Sequence, residues 1–433
     1  MRTIEPPAPP AAWPAAVTLL SRWLDRRERI DELIDSLPAT LAGAERARCQ
    51  HLVFGVIRHF GRLDAAIGRL VSHSPRFPTR AVLLMAGYEL IEAQGAPEAE
   101  GRVAKIVHHA VEQSKRVASR AEAGMVNAVV RKLAVALAVP PPPKLAPAET
   151  LAEYYSHPDW LVRRWLVEFG AEATRQLLEW NQTPSTVYAR WRGGAEAPPD
   201  FLKPTAWPGF FEVPSGHWPK VGPLLKHGKI YLQDPGTRLS VELLAPRAGE
   251  TVLDACAAPG GKSLLIADLM QSGRIVAMDL AGPRIGRLKE NLARAGGVEV
   301  ALVQADLLEQ PAAVLKEHQL PELFDAVLVD VPCSNTGVMR HRADVKWRLD
   351  PRDIGKHARQ QLTLLHAAAR LVAPGGRLVY STCSIDPEEN EQVVRAFFDS
   401  RAGGPFKLEA STVTLPWVAG HDGAAAFRLS RSL

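Results

Sequence analysis

Cys333 and Cys383 each stand just past a short apolar run, in Asp330-Val-Pro-Cys-Ser-Asn-Thr-Gly337 and Tyr380-Ser-Thr-Cys-Ser-Ile385. The thiolate is the nucleophilic form, and a free thiol has a pKa of about 8.5. A nearby cation such as Lys262, or a helix N-terminus, favours ionisation. A thiol beside a nucleotide-type cofactor suits methylation at carbon 5 of a pyrimidine, a carbon too weakly nucleophilic unaided. Thiolate addition to C6 makes C5 enamine-like, so that it can attack a sulfonium methyl group. A base then removes the C5 proton and the thiol is eliminated, which divides one hard step into easier ones. An acid near N3 of the ring, with Asp330 the candidate, would stabilise the adduct. Taken singly, each cysteine reads as a small buried core residue. Chemistry is favoured because Cys256, Cys333 and Cys383 all lie in polar strand-end segments.

A second set of residues marks a cofactor cleft. Asp254, Asp279, Asp306 and Asp330 follow successive apolar runs, about one βα unit apart. A carboxylate after the second run suits a ribose diol, since it accepts from both hydroxyls. One after the third could accept from an adenine amino group. Any one of them alone reads as a helix N-cap or turn residue. The first run leads into Cys256-Ala-Ala-Pro-Gly-Gly-Lys-Ser263. Gly260 and Gly261 allow close approach of the backbone to a ligand. The following helix offers free N–H groups to a carboxylate or phosphate. Gly261-Lys262-Ser263 looks like the end of a P-loop, but that motif needs glycine where Cys256 stands, which argues against an NTPase.

These residues need a scaffold that gathers strand ends. Apolar runs at 251–253, 274–278, 298–303, 326–329 and 377–380 alternate with helical segments. That is the rhythm of a doubly wound, mostly parallel, Rossmann-like α/β sheet, whose ligands bind at the carboxyl ends of the strands. Upstream, residues 11–138 read as all-helical. Leu52, Val53, Val56, Ile57 and Phe60 form one face at spacings of three and four, and Val82, Leu83, Met85, Leu90 and Ile91 form another. Breakers fall at Pro38, Ser74-Pro75, Pro78 and Gly95-Ala96-Pro97. The tract Pro140-Pro-Pro-Pro143 reads as a stiff spacer. The chain is therefore expected to be multidomain: a helical domain over 1–140, a Pro-rich linker over 141–150, a small α+β domain over 151–235 and an α/β domain over 236–433.

The chain has 433 residues, 46% hydrophobic and 23% charged, which argues against extensive disorder. Its four cysteines form no C-x-x-C pair, which makes a disulfide framework or structural zinc unexpected and fits a reducing, cytoplasmic compartment. No run of 18 apolar residues and no secretion signal is evident. His108 and His109 are adjacent on a predicted helix and do not share a face, so no metal site is expected. The net charge is +5. Residues 1–140 hold 19 Lys/Arg and 14 Asp/Glu, and the remainder holds 33 of each. A basic domain beside a neutral one suits a grip on an anionic polymer, although a solvated helical surface gives the same count.

Together, Asp254-Ala-Cys-Ala-Ala-Pro-Gly-Gly-Lys262, Asp330-Val-Pro-Cys333 and Ser381-Thr-Cys-Ser384 resemble the Sun family of RNA (cytosine-5) methyltransferases. The resemblance implies S-adenosylmethionine as cofactor, held by Cys256, Ala257, Ala258, Pro259, Gly260, Gly261, Lys262, Asp279, Asp306 and Asp330. It also implies Cys383 as the covalent nucleophile and Cys333 as the cysteine assisting product release, with Asp330 and Lys262 beside them. Strand-end position alone leaves the two cysteine roles interchangeable, and in DNA cytosine-5 methyltransferases the Pro-Cys cysteine attacks. The segments 48–63 and 103–114, with Val126-Asn-Ala-Val-Val-Arg131, resemble the helical RNA-binding NusB domain. A NusB-like domain joined to a Sun-type domain implies one cytidine of 16S rRNA as target; from the residues, no membrane, metal or obligate protein partner is expected. Alternatives are the same chemistry on tRNA or 23S rRNA, DNA methylation, and a non-catalytic RNA-binding assembly factor. The chain departs from the family at Asn335, usually glycine, at His341, Arg342 and Ala343, and at Asp422-Gly-Ala-Ala-Ala-Phe-Arg428, where two aromatics are common. Trp347 reads either as a base-stacking residue or as a buried aromatic.

Overall fold

The structure, a computed structural model, describes residues 12–94 and 99–433. The proline-rich start and the breaker at Gly95-Ala96-Pro97 lie outside the described residues. The chain divides into two compact units, Met1–Pro184 with Met339–Leu349, and Ser185–Val338 with Asp350–Leu433. Among the described residues no helix is long and apolar enough to cross a membrane.

The first unit contains α1 (Ala12–Arg26), α2 (Ile30–Asp35), α3 (Gly43–Gly68), α4 (Phe77–Ala93), α5 (Ala99–Val117), α6 (Ala123–Leu137), α7 (Ala148–Tyr154) and α8 (Asp159–Gln182). The apolar spacings close one core, in which Trp23, Leu52, Val56, Ile57, Leu83, Met85 and Val130 are fully buried. Residues 81–86 of α4 are buried all round, as a continuously apolar helix requires. The unit continues past the proline tract because α7 and α8 return to α3. The Ser156 hydroxyl accepts the Gly61 amide N–H at 2.7 Å, and Leu161, Val162 and Trp165 on α8 are buried.

Met339–Leu349 also packs in this unit. Ala343 joins its core. Lys346 is 1% exposed and donates from Nζ to the Arg58 carbonyl at 2.9 Å, and burial pushes its ammonium well below the ordinary lysine range. The Trp347 indole N–H donates to the Ile57 carbonyl at 2.8 Å, and its ring meets Phe60 edge-on at 5.3 Å. A Cβ on Gly61 would come within 2.7 Å of that ring, so glycine admits the indole. Of its two readings, Trp347 takes the packed one.

The second unit begins with a small antiparallel sheet, β1 (Tyr188–Trp191), β2 (Lys203–Pro204), β3 (Phe210–Glu212) and β4 (Ile230–Leu232), in the order β2-β3-β1-β4. Ala189, Leu202, Val213, Val221 and Ile230 form its core. A seven-stranded sheet follows, made of β5 (Thr251–Ala255), β6 (Arg274–Asp279), β7 (Glu299–Gln304), β8 (Phe324–Asp330), β9 (Val372–Thr382), β10 (Phe406–Thr414) and β11 (Ala424–Arg431). Its order is β10-β11-β9-β8-β5-β6-β7. Strands β5 to β9 pair parallel, and β11 adds antiparallel to β9 with β10 outside it. The five expected runs are the five parallel strands. Both faces are covered, with Leu253, Val276, Val327 and Tyr380 in one core and Val252, Ile275, Leu328 and Val379 in the other. The order reverses between β5 and β8, the switch point where such sheets open a ligand crevice.

Candidate active site

The turn after β5 is held tightly against its protein neighbours. The amides of Cys256 and Ala257 both donate to the Met278 carbonyl, at 2.9 and 3.0 Å, which pins the turn to β6. Cys256 has φ 86° and Gly260 φ 102°. A Cβ on Gly260 would stand 3.0 Å from Leu288 Cδ1, and its left-handed backbone favours glycine in any case. Asn291 Nδ2 donates to the Pro259 carbonyl at 2.7 Å. Asp279, the last residue of β6, accepts from the Ala258 amide at 2.7 Å and from the Leu280 amide at 2.8 Å. A carboxylate has about four acceptor positions, so Asp279 can brace this turn and still receive a diol. Asp306 accepts the Leu308 amide at 2.9 Å, an Asx turn past β7. Burial pushes the Cys256 thiol up.

Asp254 differs from the other three aspartates. It is fully buried and accepts the Ser263 hydroxyl at 2.5 Å. Burial pushes its carboxyl up to about 7. It clasps the first residues of the helix Gly261–Met270 to β5.

The ends of β8 and β9 bring Asp330, Cys333 and Cys383 together. Asp330 pairs with Ser381 in register, so the loops that follow leave the sheet side by side. The Cys333 and Cys383 sulfurs lie 3.1 Å apart and share a hydrogen bond. That bond and burial hold the Cys333 thiol well above the ordinary range. Asp330 accepts from Lys262 Nζ at 2.7 Å and from the Ser381 hydroxyl at 2.6 Å. Burial lowers the Lys262 ammonium, but Asp330 outweighs it and leaves the group above its usual value. A cavity of about 50 Å³ is lined by Lys262, Asp330, Ser381, Thr382 and Cys383. Asn335 has φ 61°, a conformation that glycine and asparagine tolerate, which accounts for asparagine where the family has glycine. Its Nδ2 donates to the Cys333 carbonyl at 2.8 Å and its Oδ1 accepts from the Cys383 thiol at 3.4 Å.

Beneath the cysteines lies a buried polar network that the sequence reading missed. The Glu389 carboxylate accepts from the Ser334 amide at 2.9 Å, from the Ser334 hydroxyl, and from Gln361 Nε2 at 2.8 Å. Asp386 accepts the Thr336 hydroxyl at 2.6 Å. Asn390 accepts from Thr382 at 2.6 Å and donates to the Ser384 carbonyl at 3.0 Å. These bonds tie the loop carrying Cys333 to the one carrying Cys383. The available signal was the run Asp386-Pro-Glu-Glu-Asn-Glu391 directly after the Thr-Cys strand, which reads in sequence as an ordinary acidic helix start.

Residues 241–414 match the family model for 16S rRNA methyltransferase RsmB/F, and residues 12–135 match the NusB family. Ribosomal RNA small subunit methyltransferase B of Sodalis glossinidius (strain morsitans) is 32% identical over 396 residues, 88% of this chain and 88% of that protein. Its namesake from Escherichia coli O17:K52:H18 is 30% identical over 407 residues, 89% of this chain and 90% of that protein. Among solved structures, PH0851 covers 99% of this chain and 100% of that one, with TM-score 0.75 and 24% identity. NSun6 from Pyrococcus horikoshii with SFG covers 63% and 97%, with TM-score 0.54 and 20% identity. At these identities the two structures establish a common fold.

Proposed function

This chain belongs to the ribosomal RNA small subunit methyltransferase B family of enzymes, and we propose that it methylates carbon 5 of one cytidine in 16S rRNA through a covalent cysteine adduct. The single observation that carries this reading is the 3.1 Å approach of Cys333 to Cys383, with Cys383 sharing a cavity with Lys262 and Asp330.

S-adenosylmethionine, when bound, supplies the electrophilic methyl group that C5 takes up. The turn Cys256–Lys262 would hold it, with Asp279 accepting from the ribose, Asp306 from the base, and Asp330 beside it. The spare acceptor positions of Asp279 fit such a molecule. The Cys383 thiolate adds to C6, forming the S–C6 bond and shifting electron density to C5. Cys333, held protonated, is suited to a proton role. Once the C5 proton has gone to a base, the S–C6 bond breaks and Cys383 is released. Asp330, bridged to Lys262 and Ser381, can share a proton with N3 of the ring. The basic residues of the first unit would grip the RNA backbone, making binding salt-sensitive.

The test is methyl transfer from tritiated S-adenosylmethionine to unmodified 16S rRNA, with 23S rRNA, tRNA and DNA as controls, followed by bisulfite mapping. A single labelled cytidine in 16S rRNA is expected. Label confined to another nucleic acid would remove the 16S assignment.

A further inference from the structure

Counting charges along the chain makes everything after residue 140 neutral, with 33 groups of each sign. The fold undoes that balance at one place. The second unit contains a cavity of about 890 Å³ whose walls carry Arg190, Arg192, Lys226, Arg238 and Arg294 against only Asp268 and Glu242. Asp268 is occupied by Arg192, at 2.8 and 2.9 Å, and by Arg190. Glu242 is paired with Arg238 at 3.0 Å. Lys226 and Arg294 have no carboxylate partner among the described residues. The wall therefore keeps net positive charge.

An aromatic surface stands in the same wall. Trp191, at the end of β1, is half-buried, and its indole N–H is fixed on the Glu196 carbonyl at 3.0 Å. Its ring lies so close over Gly193 that a Cβ there would sit 2.1 Å from it. Arg192 is equally fixed, bridging Asp268 and the Arg294 carbonyl. The cavity is distinct from the cysteine site. It is lined by the C-terminal end of the helix Gly261–Met270, whose opposite end carries Lys262. Ten residues of helix separate the two ends by about 15 Å.

Uncompensated cations select phosphate, and a fixed indole face selects a base. The volume lies within the range of about 300–1,000 Å³ common for small-ligand sites. We propose that this cavity binds a phosphodiester-linked nucleotide of the RNA substrate, at a point removed from the cytidine undergoing reaction. The proposal rests on the RNA-methylation reading and adds to it a second point of attachment.

The test measures the dissociation constant for unmodified 16S rRNA over a series of salt concentrations, for wild-type protein, Lys226→Glu, Trp191→Ala and Trp191→Tyr. Lys226 is exposed, so its reversal should leave folding intact. Lys226→Glu should weaken binding about tenfold and reduce the slope of log K against log salt by about one. Trp191→Ala should weaken binding about tenfold with the slope unchanged, and Trp191→Tyr should restore it. Cytidine 5′-monophosphate is titrated in parallel. If it binds wild type but not Lys226→Glu while RNA affinity is the same in both, the cavity serves a free nucleotide and the RNA assignment is overturned. Wild-type RNA affinity and slope in every variant, in a protein that still methylates 16S rRNA, would overturn the cavity alone. A wild-type protein that methylates no RNA would overturn the underlying reading.

Discussion

Lys262 Nζ lies 2.7 Å from Asp330 Oδ2, joining the turn after β5 to the end of β8. Asp330 is what keeps the partly enclosed ammonium protonated against the pull of burial. Replacing Asp330 by asparagine removes the counter-charge and any proton the carboxyl shares with the substrate ring. Turnover should fall by about 10²–10⁴, the usual weight of a general acid–base group. The ammonium would also titrate earlier, so the alkaline limb of the residual rate should move to lower pH. A single-turnover pH profile checks both; an unshifted alkaline limb would show that Lys262 does not set it.

The 3.1 Å contact between Cys333 and Cys383 separates their roles in a way a gel can read. Cys383→Ala should abolish turnover while leaving S-adenosylmethionine binding measurable by calorimetry. Cys333→Ala should let the adduct form and impede its release, trapping RNA in a complex that survives denaturing electrophoresis. A trapped complex in Cys383→Ala instead would exchange the two assignments.

The parallel sheet and its loaded edge were legible because both depend on local pattern. Short apolar runs at one-unit spacing, each followed by a polar turn, specify β5 to β9 and the strand-end positions of Asp279, Asp330, Cys333 and Cys383. Three features depend on distant packing instead. The first unit continues to Pro184 because α8 buries Trp165 and Leu161 next to α3, a tertiary choice that no proline tract announces. Strands β10 and β11 were not foreseen: β10 exposes most of its residues, and β11 begins with Ala424-Ala-Ala426, where small side chains fit against β9. Glu389 looks like a solvated acid until Ser334 and Gln361, both remote in sequence, enclose it.

Trp347 allows a direct separation of packing from RNA stacking. Its indole is hydrogen-bonded to Ile57, edge-on to Phe60 and seated over Gly61. Trp347→Ala should destabilise the first unit, by less than the ~3–5 kcal/mol usual for a fully buried tryptophan, because the ring is partly exposed. Thermal unfolding followed by tryptophan fluorescence and calorimetry gives the loss. Undiminished stability with weakened RNA binding would return Trp347 to the stacking role.

Asp254 gives the fold of the second unit a pH dependence of definite sign. Its buried carboxyl titrates at about 7 in place of 3.8. Between those values the folded state holds a proton that the unfolded state has lost. The folded protein therefore loses stability as pH rises from about 4 to 7, by up to about 4 kcal/mol, with no further change above. Asparagine has nearly the same shape, can still accept the Ser263 hydroxyl and does not ionise. Asp254→Asn should therefore match wild type near pH 4 and exceed it in urea midpoint at pH 8. Equal midpoints at both pH values would mean that Asp254 ionises in place, held by partners other than Ser263.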